Sequence, residues 1–102
     1  MKIDKNYKGL KNVGWRYEID GYIATNESLE VDLDMGLFVS GSIEAGEYIK
    51  VGEYVEAGGY VEAGGFIKAG WFIEAGGFIK GGKKEDCEAE WFGNADFTED
   101  YD

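Results

Sequence analysis

Residues 43–82 read IEAGEY IKVGEY VEAGGY VEAGGF IKAGWF IEAGGF IKGG, a tandem repeat of six residues. The aliphatic position continues backward, giving the series Val31, Leu37, Ile43, Ile49, Val55, Val61, Ile67, Ile73 and Ile79. Two places after each stands a second apolar or small residue: Leu33, Val39, Ala45, Val51, Ala57, Ala63, Ala69, Ala75 and Gly81. From Gly46 onward a glycine follows at once. Internal repetition of this kind decides the architecture before any local propensity does.

Strand geometry accounts for the order within a unit. Side chains on a strand alternate faces, so if Ile43 points inward, Ala45 does too and Glu44 points out. That outward slot is charged in every unit from there on, as Glu44, Lys50, Glu56, Glu62, Lys68, Glu74 and Lys80. Burying a charge at each turn would be prohibitive, which sets the phase. The glycine is expected to make the corner with φ > 0. A helix fails on both counts. Period six precesses around a helical cylinder and keeps no constant face, and each glycine would cost about 1 kcal/mol against alanine.

The expected fold is therefore all-β, a short parallel β-solenoid of six-residue units over residues 31–82. Three units per turn would stack Glu44 on Glu62 and Lys80, Lys50 on Lys68, and Glu56 on Glu74. Stacking like charges across strands costs a few tenths of a kcal/mol, so two units per turn stays open. Residues 1–30 lack the repeat and read as an N-terminal β cap. Trp15, Tyr17 and Ile19 alternate with charged residues as in a strand, and Asp20-Gly21 before Tyr22-Ile23 suggests a hairpin turn. Such a cap would stop edge-to-edge growth of the coils. Residues 83–102 form an acidic segment carrying Trp91, Phe92, Phe97 and Tyr101. All three stretches belong to one domain.

Composition narrows the function. A chain of 102 residues with a formal net charge of -11 has the wrong sign to bind a phosphate backbone directly. A protein partner with a basic surface, including one that itself binds nucleic acid, suits it better. There is no His, which removes the commonest general base and the commonest transition-metal ligand. The single Cys, Cys87, excludes an internal disulfide and fits a reducing, cytoplasmic compartment. The polar start and the lack of a long apolar run point away from a signal peptide and from a membrane.

Two groups of outward residues are candidate binding elements. Tyr48, Tyr54, Tyr60, Phe66, Phe72 and Phe78 each precede the inward aliphatic, and Trp71 adds another ring. They read as an exposed strip for a partner or for homodimerisation, since aromatics are enriched in interface cores. Internal packing at the corners is the alternative. The acidic candidates are Asp86, Glu88, Glu90, Asp96, Glu99, Asp100 and Asp102 in the last segment, with Glu56, Glu62 and Glu74 on the coils. Spaced carboxylates of this kind can mimic DNA phosphates in a cationic groove.

No catalytic, cofactor or metal site is expected. The coil carboxylates face solvent with no cleft between them. No Asp lies between Asp34 and Asp86, so the calcium-binding nonapeptide pattern fails. The Gly-Gly pairs lack the Gly-Lys-Ser/Thr of a phosphate loop. Cys87 sits among acids, which oppose thiolate formation.

The run from Gly41 to Gly82 resembles hexapeptide-repeat β-helix proteins, such as the left-handed β-helix acyltransferases and the bactofilin-like polymer-forming proteins. The resemblance covers about half the chain and implies architecture. Acyltransferases of this fold use a catalytic His, which this sequence does not have. In size, acidity and lack of catalytic residues the chain is also similar to anti-CRISPR proteins carried by phages and mobile elements. That likeness implies a non-enzymatic inhibitor that occupies a nucleic-acid-binding surface of a host defence complex, such as a CRISPR effector. A bactofilin-like self-assembling structural protein is the alternative.

Overall fold

A computed structural model describes residues 1–81 and the strand Glu90–Phe97. The described chain is all-β, a parallel β-solenoid of about four turns. In chain order its strands are β1 (Lys2–Ile3), β2 (Lys11–Asn12), β3 (Tyr17–Ile19), β4 (Ile23–Thr25), β5 (Leu29–Val31), β6 (Leu37–Val39) and β7 (Ile43–Ala45). There follow β8 (Ile49–Val51), β9 (Val55–Ala57), β10 (Val61–Ala63), β11 (Ile67–Ala69), β12 (Phe72–Gly81) and β13 (Glu90–Phe97).

Pairing fixes three units per turn. Ile43 lies beside Val61 and Val61 beside Ile79; Leu37 beside Val55 and Val55 beside Ile73; Ile49 beside Ile67. Each step is about 18 residues. The columns define three faces. The first holds β3, β6, β9 and the start of β12; the second β4, β7, β10 and the end of β12; the third β1, β5, β8 and β11. Strand β13 extends the first two faces by pairing in parallel along β12.

The interior follows the alternation read from the sequence. Ile43, Ile49, Val55, Val61, Ile67, Ile73 and Ile79 are at most 1% exposed, and Ala45, Ala57, Ala63, Ala69 and Ala75 are buried beside them. Each such aliphatic side chain contributes on the order of 1.5–3 kcal/mol when removed from water. Alanine in the second slot leaves room for the larger residues arriving from the other two faces.

The glycines act differently from expectation. Among the described residues only Gly9, Gly14 and Gly21 have positive φ; none of the repeat glycines does. What the repeat requires is close approach. A Cβ at Gly64 would overlap the carbonyl oxygen of Gly46 in the coil beneath, and one at Gly70 would overlap that of Gly52. The corner backbone therefore sits directly on the preceding carbonyl, where only glycine fits.

The parallel coil reaches back to Tyr17, within the stretch read as a cap. Tyr17 pairs with Leu37, Ile23 with Ile43 and Leu29 with Ile49, a step of 20 residues. The two extra residues fall between Leu29 and Leu37. Val31 accordingly pairs with Val51 and fills the second inward slot, with Leu29 in the first. The expected phase at Val31 and Leu33 is thus displaced, although both residues are buried.

The expected hairpin at Asp20-Gly21 is also overturned. Gly21 turns the chain at φ 112°, but β3 and β4 lie on different faces and pair in parallel with β6 and β7. The antiparallel pairing is between β2 and β3, through Gly14 at φ 101°. Strand β1 covers β5 on the third face and β2 covers β3 on the first, while Tyr7 and Leu10 pack beneath the core.

The inserted segment anchors this end. The Tyr17 hydroxyl donates to Asp34 at 2.8 Å, Lys5 lies 3.2 Å from the same carboxylate, and Lys2 lies 3.7 Å from Asp32. Hydrogen bonds from Tyr17 and then Lys5 hold the Asp34 carboxyl below the usual carboxylate range.

Gly64→Ala should lower stability by about 1–3 kcal/mol through overpacking. Gly52→Ala should be close to neutral, because its Cβ would meet nothing nearer than 3.6 Å above the inserted segment. Urea midpoints at constant m-value decide both. Asp34→Asn should be less stable than the parent above the ordinary carboxylate pKa. The difference should close as pH falls through the depressed pKa of Asp34, since both chains then carry an uncharged group there. Urea midpoints measured across the acid range test this.

Candidate functional site

The three-unit coil sorts the outward side chains by face. The first face presents Glu18, Phe38, Glu56 and Glu74 in one column. The second presents Ala24, Glu44, Glu62 and Lys80. The third presents Lys2, Glu30, Lys50 and Lys68, with Lys2, Glu30, Asp32 and Lys50 lining a shallow groove. Carboxylates therefore dominate two faces, and lysines gather on the third.

Like charges do stack, and neighbours offset part of the cost. Lys80 reaches Glu62 at 4.0 Å. Glu44 accepts a hydrogen bond from the Tyr60 hydroxyl, and this bond, with burial, raises the Tyr60 pKa. On the first face the compensation comes from Arg16. Its Nη2 donates to Glu18 Oε2 at 2.8 Å and its Nε to the same oxygen at 3.0 Å. Its Nη1 donates to Glu56 Oε1 at 2.9 Å. The guanidinium also lies 4.3 Å from the Trp15 ring centroid and 4.4 Å from that of Phe38. The Arg16 side chain is only 16% exposed. Fork geometry and aromatic contact together are a use to which arginine is suited and lysine is not.

The aromatic rings occupy three corners and do not form the single strip expected from the sequence. Consecutive units turn onto different faces, so rings one unit apart separate and rings three units apart meet. Tyr48 stacks on Phe66, Tyr54 on Phe72 and Tyr60 on Phe78, with centroids 4.7, 4.6 and 4.7 Å apart and interplanar angles of at most 8°. These separations match the strand spacing of a sheet, so the rings extend the backbone ladder outward. The Tyr54 ring lies over Gly36, where any Cβ would collide with it. Burial raises the Tyr54 pKa.

Most of these rings are half-buried at the corners. Phe78 is 36% exposed, and Trp71 is 59% exposed against the edges of Tyr54 and Phe72. Among the described residues the most exposed rings are two the sequence did not single out as candidates, Tyr22 at 75% and Trp15 at 65%. Arg16 and Phe38 were missed as well. Nothing in the repeat marks them, because their partners lie one or two coils away.

Of the acidic candidates, Glu56 is bonded to Arg16, Glu62 lies beside Lys80, and Glu74 is exposed with no ion pair among the described residues. Glu90 and Asp96 fall on β13, in register with Phe72 and Lys80. Asp86, Glu88, Glu99, Asp100 and Asp102 lie outside the described residues. Among the described residues no three Cys, Asp or Glu side chains gather as a metal site, and no helix is long and apolar enough to cross a membrane.

Comparison of the chain with protein-family models, curated proteins and solved structures found no match.

Arg16→Ala should lower stability by about 1–3 kcal/mol, since it leaves two half-buried carboxylates without their hydrogen bonds. Arg16→Lys should recover less than half of that loss, because an ammonium cannot bond both carboxylates and lie flat on both rings. Chemical denaturation of the two variants, with the parent as reference, checks the order.

Proposed function

We propose that this chain is a non-enzymatic binding protein that docks on a basic protein surface. The finer reading is an inhibitor of the anti-CRISPR type, occupying the nucleic-acid-binding surface of a host defence complex. The observation that carries the proposal is the segregation of charge by face. The strands fill the interior with aliphatics, direct Glu18, Glu56, Glu74, Glu44 and Glu62 outward on two faces, and leave the lysines mainly to the third. A rigid sheet holding carboxylates in columns keeps them at strand spacing without ordering cost on binding. Such a surface favours encounter with cationic partners through long-range attraction. The acidic segment 83–102 adds to the same sign in the sequence.

One observation favours the alternative of self-assembly. At the N-terminal end β1 covers β5 and β2 covers β3, but among the described residues β4 ends its sheet with no further strand. An open parallel edge can template another strand. Here it is three residues long, which limits what it can hold.

The direct test is competition. Binding to an isolated CRISPR effector, or to another cationic nucleic-acid-binding protein, should be displaced by duplex DNA and should weaken as salt rises. Binding indifferent to both DNA and salt would refute the proposal. Concentration-dependent filaments in light scattering would replace it with self-assembly.

A further inference from the structure

Part of the corner built around Arg16, its Trp and its first Glu, recurs without the arginine. Residues 15–18 read Trp-Arg-Tyr-Glu, and residues 71–74 read Trp-Phe-Ile-Glu. The pairings that bring Glu18 beside Phe38, Phe38 beside Glu56 and Glu56 beside Glu74 put both stretches on the same face in the same register. Trp15 and Trp71 thus each stand two residues before the first inward residue, Tyr17 and Ile73, and Glu18 and Glu74 stand on one outward column. In the first copy Arg16 lies on Trp15 and Phe38 and bonds to Glu18 and Glu56. In the second copy the position of Arg16 is taken by Phe72, so the chain supplies no guanidinium between Trp71 and Glu74.

Strand β13 pairs with this stretch from above, with Phe92 in register with Glu74, and the Trp and the glutamates stay at the surface. Trp71 is 59% exposed and is held by edge contacts with Tyr54 and Phe72, at 5.7 and 5.0 Å between centroids. Glu74 is exposed. Glu53, also exposed, is next to Trp71 in the coil beneath, where its carbonyl accepts the Trp71 amide at 2.9 Å. Neither carboxylate has an ion pair among the described residues. An exposed indole close in the chain and in the stack to two exposed glutamates matches a planar cation that can lie on a ring and donate to an acid.

We infer that Trp71 and Glu74, with Glu53, receive an arginine side chain from a partner protein. The occupant is foreign, because Arg16 is the only arginine in the sequence and its guanidinium is already engaged. A second copy brings the same engaged Arg16 and a like net charge of -11, so it is not the occupant. The uncompensated carboxylates favour a cation over a neutral sugar, the other ligand that an exposed indole commonly carries. This inference rests on the acidic-docking proposal and locates its contact point.

The test uses fluorescence anisotropy of a labelled peptide of alternating Arg and Gly, with its Lys-Gly counterpart, against the full chain at low salt. Trp71→Ala should weaken Arg-Gly binding about fivefold, in line with a partly desolvated cation–π contact. Glu74→Gln should weaken it by a similar factor through the lost charge-assisted hydrogen bond. Glu27→Gln, which removes an equal charge on another corner, should change it less than about twofold. The Arg peptide should bind tighter than the Lys peptide. Circular dichroism verifies the fold, and Glu74→Gln, at an exposed position, carries the test alone if Trp71→Ala unfolds. Peptide binding unchanged in both variants overturns the assignment and leaves the acidic-docking proposal standing. No binding of either peptide to the parent overturns both. Displacement of the peptide by a neutral oligosaccharide, with no preference for Arg over Lys, would make Trp71 a sugar platform and overturn the assignment.

Discussion

At three successive corners of the solenoid a glycine amide donates to a carbonyl of the coil beneath: Gly58 to Val39 at 2.9 Å, Gly64 to Ala45 at 3.1 Å and Gly70 to Val51 at 3.0 Å. The Cα of the same glycine lies so near the next carbonyl that no Cβ fits. This contact sets the pitch. Coils at sheet spacing bring Ile43, Val61 and Ile79 into one apolar column and Tyr60 onto Phe78 in a parallel stack. Were the corners wider, neither the interior nor the ring stacks would close. In the coils from Gly58 to Gly70 the hydrophobic core and the aromatic ladder therefore accompany a backbone approach that only glycine allows.

That constraint also shapes the surface. With the pitch fixed and three units per turn, an outward residue has neighbours three units before and after it in sequence. Charges that look alternating along the chain become like-charged columns in space, as with Glu56 and Glu74 or Lys50 and Lys68. The molecule tolerates this by local compensation, most fully where Arg16 joins Glu18 and Glu56 across Phe38. Among the described residues Glu74 and Glu53 have no such compensation, and they carry the contact proposed for a cationic partner. The fold in this way converts a monotonous repeat into faces of different sign.

Much of this was legible in the sequence. The alternation at Ile43, Glu44 and Ala45 marked the inside and outside of the strands from Leu37 onward, and the six-residue period pointed to the solenoid. Three features were not. The glycines were read as positive-φ corners because φ > 0 is the common local demand for glycine, whereas here the demand comes from a carbonyl a full coil away. The Asp20-Gly21 step has the composition of a hairpin turn but sits where parallel coiling overrides local preference. The cluster around Arg16 depends on register across coils, including the insertion between Leu29 and Leu37 that no single unit reveals. Local signals wrote the strands; contacts between distant residues decided the corners and the site.

The three-unit turn is the claim on which the surface columns rest. Its direct measurement is the set of interstrand nuclear Overhauser contacts in the isotope-labelled protein. Contacts should link the amide and Hα protons around Ile43 with those around Val61, and Val61 with Ile79, as in adjacent parallel strands. The Tyr48 ring should likewise contact Phe66. Contacts linking Ile43 with Val55, and Val55 with Ile67, would mean two units per turn and would contradict the account.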